Sequence, residues 1–276
     1  MNRITKQTAL LASVLFATLS VKAGVPFNNL EGVGGAAFNP LAYTAGQNAG
    51  TNNPNAILSK PQAGAWFTRL GDKNINWEAF GVAETIGKRL ELSYGYEAIR
   101  LGGENAKNIS KHNVGAKVLA IPENAFGSFV PAVSVGAIWK NTDANLFGQH
   151  NSGLDSYIVA TKLITQTPVP VLVSAGLLYT AEEVTGVVGF NKDHDLTYFG
   201  NIDVIPLSCL AVGAEYKQGA RFANGFKNAN YWDAHVAFFA GPNLTLIGAY
   251  VYAGSEKSVS RVGLGDGFVL SAQYAF

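Results

Sequence analysis

Apolar and polar residues alternate with a period of two through most of the chain after residue 61. In the clearest run, Leu90 to Ala98, apolar side chains fall on one face, and Glu91, Ser93 and Glu97 fall on the other. Such alternation predicts β-strands that have one apolar and one polar face. Most runs are near the length that a tilted strand needs to cross hydrocarbon. We expect about twelve strands, at residues 62–70, 75–85, 89–100, 112–121, 128–139, 156–164, 171–181, 196–205, 209–217, 231–240, 244–253 and 267–276.

The connections between these runs alternate between short and long. Short connections, often with proline, lie at residues 86–88, 122–127, 165–170, 206–208 and 241–243. Longer polar connections lie at residues 101–111, 140–155, 182–195, 218–230 and 254–266. The loop 71–74 is the exception, because it is short but is predicted to face outward. This pattern predicts an all-β fold in which residues 62–276 form an antiparallel transmembrane β-barrel with short periplasmic turns and longer extracellular loops.

The two ends of the chain indicate export to the outer membrane of a Gram-negative bacterium. Residues 1–23 combine Arg3 and Lys6 with an uncharged, mostly apolar stretch and end on Val-Lys-Ala, which predicts a cleaved signal peptide. The final strand ends on Tyr274 and Phe276, and soluble proteins rarely leave an apolar strand bare at a terminus. We expect these two aromatic residues to be the signal that the barrel-assembly machinery reads.

Residues 24–61 do not follow the alternating pattern. They contain the run Gly-Gly-Ala-Ala at residues 34–37, the dipeptide Asn39-Pro40 and an Asn/Gly-rich stretch that extends to Asn55. The segment fits a plug inside the lumen, a periplasmic tail or an added strand, and the sequence leaves all three interpretations open.

Composition narrows the classes of partner. Charged residues make up 14% of the chain and the formal net charge is +1, which disfavours nucleic acid as a ligand. The only cysteine, Cys209, excludes an internal disulfide. No cofactor is expected. The expected partners are outer-membrane lipid and lipopolysaccharide, the barrel-assembly machinery and a small solute.

Charged residues on the polar faces are expected to point into the lumen, because Lys or Arg at mid-depth on the lipid face costs about 2–4 kcal/mol. The lumen-facing candidates are Glu78, Glu84, Glu91, Glu97, Lys117, Lys162, Asp203, Glu215, Lys217, Asp233 and His235. Acids outnumber lysines in this set, which favours cations if water reaches the interior. The alternative is that the charges form salt bridges that brace a closed lumen.

Aromatic residues concentrate near the predicted strand ends. Amphipathic rings favour the boundary between water and lipid, where they form two girdles around a membrane barrel. The expected membrane-interface aromatics are Trp66, Trp77, Trp139, Tyr179, Trp232, Tyr252 and Tyr274.

Two histidines lie beside acids. His235 shares a strand face with Asp233, and a predicted outer loop contains the run Asp193-His194-Asp195. Such pairs can act as general bases or contribute to metal sites. However, a His–Asp pair without a third partner is more often a structural hydrogen bond, and an acidic run in a polar loop is usually solvated. We therefore expect no catalytic residue, no metal site and no enzyme activity.

Several blocks of the sequence, in this order and spacing, resemble an uncharacterised bacterial outer-membrane barrel family that is known only as a domain of unknown function. The blocks are L-E-G-V-G-G-A-A-F-N-P-L-A-Y (30–43), W-E-A-F-G-V-A-E-T-I-G-K-R-L-E-L-S-Y-G-Y-E (77–97), A-T-K-L-I (160–164), L-A-V-G-A-E-Y-K (210–217) and the closing strand. The resemblance implies the barrel fold and the outer-membrane location, and it carries no activity. The Gly-Gly-Ala-Ala and Asn-Pro elements are similar to the N-terminal hatch of hydrophobic-substrate barrels of the long-chain fatty-acid transporter type.

Three functions fit these features. The first is passage of a small solute, or a secretion accessory role, through a lumen whose charges set selectivity and which residues 24–61 gate. The second is a structural or surface-interaction barrel with a filled lumen. The third is an enzyme at the barrel rim, which requires His194 or His235 near a nucleophile or a second acid.

Overall fold

The structure is a computed structural model that describes residues 27–46, 57–71, 75–102, 107–145, 150–221, 227–254, 261–262 and 264–276. The predicted signal peptide, residues 1–23, lies outside these ranges. No helix in the described ranges is long and apolar enough to span a membrane.

The described residues form a closed antiparallel barrel of twelve strands, which confirms the predicted fold. The strands are β1 Gln62–Leu70, β2 Ile75–Ile86, β3 Leu90–Leu101, β4 Lys107–Ile121, β5 Ala132–Thr142, β6 Ser152–Ile164, β7 Val171–Glu182, β8 Phe190–Leu207, β9 Leu210–Lys217, β10 Tyr231–Phe239, β11 Leu244–Tyr252 and β12 Asp266–Ala275. Each strand pairs with its neighbours in the sequence, and β12 pairs with β1. Several strands begin or end a few residues away from the predicted positions, because the alternation extends into segments whose polar residues resemble loops.

Pairing of the first and last strands closes the barrel. In this pair Gly267 lies opposite Leu70 and Ala275 opposite Gln62, and the N–H of Phe276 donates to the carbonyl of Pro61 at 3.1 Å. Closure leaves no edge strand whose backbone groups lack partners, as a membrane-spanning sheet requires. Tyr274 and Phe276 both point outward at this seam, and their role as an assembly signal stays a prediction.

The two ends of the barrel differ in their connections. We call the end with residues 87–89, 122–131, 165–170, 208–209 and 240–243 the short-turn end. The opposite, long-connection end carries the connections at 71–74, 102–106, 143–151, 183–189, 218–230 and 253–265. Residues 128–131, predicted to begin a strand, belong instead to the turn at 122–131, in which Asn124 and Gly127 adopt positive φ angles.

The faces of the barrel are reversed relative to a soluble protein. The outer face carries exposed aliphatic and aromatic side chains, such as Leu270, which is 55% exposed. The inner face buries charged side chains, and Lys111, Lys117 and Lys140 are fully buried there. An apolar exterior around a charged interior is the arrangement expected of a barrel whose solvent is lipid.

Residues 27–46, which we call the plug, lie inside the barrel. Nearly all of them are buried, and Phe27–Asn28 pairs with Gly34–Gly35 in a two-stranded turn. After the plug, the chain is next described along the short-turn end, where the N–H of Ser59 donates to the carbonyl of Thr85 at 2.8 Å. Residues 27–46 therefore form a plug inside the lumen, which is one of the three interpretations of residues 24–61.

The orientation of the outer face predicts a specific penalty. Leu270→Arg places a charge on the lipid-facing side of β12, opposite Gly248, and we expect it to lower the free energy of unfolding by about 2–4 kcal/mol. Urea unfolding in phospholipid vesicles measures this loss. The matched control is Thr165→Arg in an exposed turn, which should change stability by less than about 0.5 kcal/mol. Equal losses in both variants would contradict the assignment of this face to lipid.

Candidate functional site in the barrel lumen

The backbone of the plug packs directly on the wall at three glycines. Gly32 has a φ of +85°, a conformation that favours glycine, and its backbone lies against Gly81 and Gly95 of β2 and β3. A Cβ on Gly95 would lie 2.3 Å from the carbonyl oxygen of Glu31, and one on Gly81 would lie 2.6 Å from the Cα of Gly32. Backbone therefore packs on backbone here, which only residues without side chains permit.

A lysine–glutamate pair holds the middle of the plug. Lys117 Nζ donates to the carbonyls of Gly34, Leu41 and Tyr43 at 2.7, 3.1 and 2.8 Å, and it lies 3.0 Å from Glu91. Glu91 in turn accepts the N–H groups of Gly34 and Ala45 at 2.8 and 2.6 Å. Both charged groups are buried, so their hydrogen bonds to the plug backbone replace the water that they would otherwise bind.

A second carboxylate holds residues 37–39. Glu215 on β9 accepts the backbone N–H of Ala37, of Phe38 at 3.3 Å and of Asn39 at 3.0 Å. The side-chain amide of Asn39 donates to the carbonyls of Gly200 and Tyr216 at 3.2 and 3.0 Å. Three consecutive N–H groups on one carboxylate form an anchor that fixes the turn containing Asn39-Pro40 against the wall.

A third anchor is the side chain of Glu31, which contacts Lys140 and lies 3.3 Å from Lys111. Burial alone would raise the pKa of Glu31, but these two lysines hold it below its usual value, so the group is ionised at neutral pH. The anchor belongs to a buried ionic network on the wall. The other ion pairs of the network are Lys111–Glu97 at 3.0 Å, Lys140–Asp155 at 2.6 Å, Lys140–Glu182 at 3.0 Å and Lys217–Glu182 at 2.7 Å.

The long-connection end of the lumen is covered by residues 183–189, which we call the inward loop. All of these residues except Thr185 are buried. Lys111 Nζ donates to the carbonyl of Thr185 at 2.8 Å, and the hydroxyl of Thr142 donates to the carbonyl of Val187 at 3.0 Å. The N–H of Val184 donates to Asn228 at 2.8 Å. The ionic network therefore contacts the plug and the inward loop together.

Two cavities lie beside the plug. One, of about 60 Å³, is lined by residues that include Phe38, Trp77 and Tyr231. The other, of about 50 Å³, is lined by residues that include Phe27, Trp66 and His235. Each has room for a few water molecules. Nearly all of the plug and the charged residues of the inner face are buried, so protein fills much of the lumen that the structure describes.

Most of the predicted lumen residues lie on the inner face. These residues are Glu91, Glu97, Lys117, Asp203, Glu215, Lys217, Asp233 and His235.

The prediction is wrong for Glu78, Glu84 and Lys162, which lie on the outer face. The inner face of β2 is apolar because it packs on the plug, so its acids fall outside, and Glu78 lies 3.5 Å from Arg100 near the long-connection end. Lys162 lies near the short-turn end and reaches Glu123 at 3.2 Å, which keeps its ammonium group in the polar turn.

The predicted interface aromatics also lie partly where they were predicted and partly on the opposite face. Trp139, Tyr179, Trp232, Tyr252 and Tyr274 lie on the outer face near strand ends. Trp66 and Trp77 do not, because both point into the lumen and are buried. Their indole N–H groups donate to the carbonyl of Asn28 and to Glu97, each at 2.9 Å, and these polar partners explain the inward orientation.

Sequence reasoning missed Glu31 of the plug and four members of the ionic network on the wall. Lys111, Lys140, Asp155 and Glu182 each lie one residue beyond a predicted strand end. Continuing the alternation by one position would have placed each of them on the inner face. The signal was missed because a charge at the end of an apolar run resembles the start of a loop.

The two histidine sites differ in their surroundings. Asp193 and His194 lie on β8 rather than in a loop, and the ring of His194 stacks on that of Tyr179 at 4.6 Å. His235 lies inside the barrel, where Nδ1 is 2.7 Å from Asp233 and Nε2 is 2.8 Å from Asp203. The third partner that the sequence did not supply to His235 is therefore present in the fold.

A protein family described as "Protein of unknown function (DUF3034)" matches residues 24–273 of this chain. No curated protein matches this chain. Among solved structures, the chain is similar to the KdgM porin (13% identity, 78% of this chain and 99% of that one, TM-score 0.53). It is also similar to the NanC porin (13% identity, 78% of this chain and 98% of that one, TM-score 0.50). A third similar structure is Omp33 of Acinetobacter baumannii (13% identity, 80% of this chain and 99% of that one, TM-score 0.47). At these identities the likeness to the first two shows a shared barrel fold.

The glycine contacts predict that the plug can be displaced by a single side chain. Gly95→Val places a branched side chain where the Glu31 carbonyl lies, so we expect residues 27–46 to become accessible to protease while the barrel stays folded. The control is Gly248→Val, because nothing lies within 4 Å of a Cβ added at that outer-face glycine. Equal protease resistance in the two variants would show that the plug does not rest on Gly95.

The Lys117–Glu91 pair predicts non-additive stability. Lys117→Met leaves the buried Glu91 without its counter-ion, and we expect a loss of roughly 3–5 kcal/mol in the free energy of unfolding. The double variant Lys117→Met/Glu91→Gln should recover part of this loss, because no unpaired charge remains. Urea unfolding compares both with Lys60→Met, an exposed lysine that should have little effect. Absence of any recovery in the double variant would contradict the charge argument.

Proposed function

We propose that this chain, which belongs to that family of unknown function, is a channel of the bacterial outer membrane. The plug closes the channel at rest, and a small solute passes when the plug moves. The observation that carries the proposal is that the inner wall is charged although protein fills it. No catalytic residue is required.

The location is supported by four features. The outer face is mainly apolar, closure leaves no free edge, residues 1–23 have the pattern of a signal peptide, and the last strand ends on Tyr274 and Phe276. Two barrels of similar fold bear the name porin. In this location, outer-membrane lipid and lipopolysaccharide surround the barrel, and the assembly machinery recognises its closing strand.

The channel is supported by the chemistry of the interface between plug and wall. A lumen that only had to be packed would be at least as stable with apolar residues in place of buried ion pairs. Here, charged groups of the wall bind backbone N–H and carbonyl groups of the plug, and water can take over both halves of such contacts. The charged groups of the wall can therefore bind the plug when it is in place and bind water when the plug leaves.

The wall charges also suggest a selectivity. Carboxylates outnumber lysines on the described inner face, the carboxylates being Glu91, Glu97, Asp155, Glu182, Asp203, Glu215 and Asp233 and the lysines Lys111, Lys117, Lys140 and Lys217. An excess of negative charge around a narrow aqueous path favours cations over anions. The solute is therefore proposed to be a cation or a small solute without negative charge.

The second candidate is a structural or surface-interaction barrel whose lumen stays filled. It is favoured by the two-sided closure, because the plug and the inward loop are both hydrogen-bonded to the wall. The two cavities described beside the plug hold only a few water molecules. In this case the charges brace the barrel and the loops at the long-connection end contact the surroundings.

Conductance in planar lipid bilayers distinguishes the two functions. We expect the complete protein to be mostly silent, and a chain lacking residues 27–46 to conduct with a preference for cations, because removal of the plug exposes the charged wall to water. Gly95→Val should conduct intermittently, and Gly248→Val should behave as the complete protein. A heat-modifiable gel shift verifies that each barrel is closed. Silence of the folded, plug-free barrel would contradict the channel and favour the filled barrel.

A further inference from the structure

Three adjacent strands place five polar residues in two rows on the inner wall. In the first row, Asn201 of β8 lies opposite Glu215 of β9, which lies opposite Asp233 of β10. In the second row, the same strands place Asp203, Gly213 and His235 side by side. Because all of these positions share the inner face, their side chains converge on one part of the lumen wall.

Gly213 allows the second row to close. A Cβ at this position would lie 2.3 Å from Asp203 Oδ1 and 2.8 Å from His235 Nε2. Without a side chain between them, Asp203 and His235 approach to 2.8 Å across the intervening strand. The other imidazole nitrogen, Nδ1, lies 2.7 Å from Asp233 Oδ1. One imidazole ring is therefore held between two carboxylates from different strands.

The cluster is compact and buried. Glu215, Asp233 and His235 each contribute one ligand-type atom, and these atoms all lie within 4.8 Å of one another. The exposed fractions of the three residues are 2%, 1% and 8%. Burial at this level makes each unsatisfied polar atom costly.

Two oxygen atoms in the cluster lack partners among the described residues. Asp233 Oδ2 and Asn201 Oδ1 are buried and accept no hydrogen bond there. Their other side-chain polar atoms are engaged, since Asp233 Oδ1 contacts His235 and Asn201 Nδ2 donates to Asp203 at 2.9 Å. Two buried acceptors without a donor, beside two further carboxylates, are the arrangement that a bound cation would satisfy.

Charge balance leads to the same conclusion. Three carboxyl groups, from Asp203, Glu215 and Asp233, face one imidazole, so acidic groups outnumber basic groups in the cluster. Lys217, two residues from Glu215 on the same face of β9, is paired with Glu182 at 2.7 Å. A cation bound among buried carboxyl groups stabilises their ionised forms.

We propose that Glu215, Asp233 and His235 form a binding site for a divalent transition-metal ion, with the Asn201 carbonyl oxygen beside it. Asp203 orients the ring from its other edge, where it accepts the Nε2–H of His235. A mixed set of carboxylate oxygens and an imidazole nitrogen suits Zn²⁺ or Mn²⁺, whereas Mg²⁺ and Ca²⁺ favour oxygen ligands alone. The sequence supplied only the pair of Asp233 and His235, and the fold adds two acids from neighbouring strands.

The site is coupled to the plug through one residue. Glu215 accepts the N–H groups of residues 37–39 and also contributes to the cluster. One carboxylate therefore holds the plug and belongs to the proposed metal site. The metal site does not depend on conduction, because the same residues bind the ion in a barrel that stays closed.

Calorimetric titration of the protein, folded in detergent without a histidine tag and freed of metal by a chelator, tests the proposal. We expect ZnCl₂ or MnCl₂ to bind with one ion per chain, and MgCl₂ not to compete. His235→Gln and Asp233→Asn should each weaken binding at least about tenfold. The matched control is His194→Gln, because that ring lies outside the lumen on Tyr179 and its loss should leave the affinity unchanged.

A heat-modifiable gel shift verifies that each variant is folded. Asp203→Asn provides a second disruption at the more exposed edge of the cluster, should His235→Gln not fold. Failure of the complete protein to bind either ion would overturn the proposal and leave a protonated imidazole bridging two carboxylates. Wild-type affinity in a folded His235→Gln or Asp203→Asn variant would overturn it equally.

Discussion

Pairing of β12 with β1 is the constraint on which the rest of the structure depends. An open sheet with an apolar outer face would leave two rows of backbone N–H and carbonyl groups without partners in lipid, where each costs several kcal/mol. Closure removes both edges at once and separates the two faces of every strand. The outer face then carries apolar side chains against lipid, and the inner face becomes the one place within the barrel where charged side chains are tolerated.

The charged interior is tolerated because most of its charged groups have polar partners. The plug brings backbone N–H groups to Glu91 and Glu215 and backbone carbonyls to Lys117, while Glu31 completes the network around Lys140. The plug therefore combines matched hydrogen-bonding groups with apolar packing against the wall. This explains how one wall can serve a closed state and, as we propose, a hydrated one.

The same wall contains the histidine cluster, and Glu215 belongs to both the plug anchor and the cluster. Cross-strand register brings this about, because Glu215 lies opposite Asp233 and the neighbouring Gly213 leaves the space in which Asp203 reaches His235. A gate and a metal site that share a ligand would be linked energetically, so the state of one would influence the other.

The sequence by itself determined the strands, their inner and outer faces, the closed antiparallel barrel and most of its charged inner residues, because a period of two is a local property that each strand carries alone. It misplaced Glu78 and Glu84, because the inner face of their strand packs on the plug, and Lys162, because its long side chain reaches a turn. It also placed Trp66 and Trp77 at the membrane boundary, although both donate hydrogen bonds inside the barrel. Only the tertiary structure decided that residues 27–46 fill the lumen, that Lys140 joins acids from two strands and the plug, and that His235 has more than one acidic partner. Those contacts depend on register and on segments far apart in the chain, which alternation within a single strand does not encode.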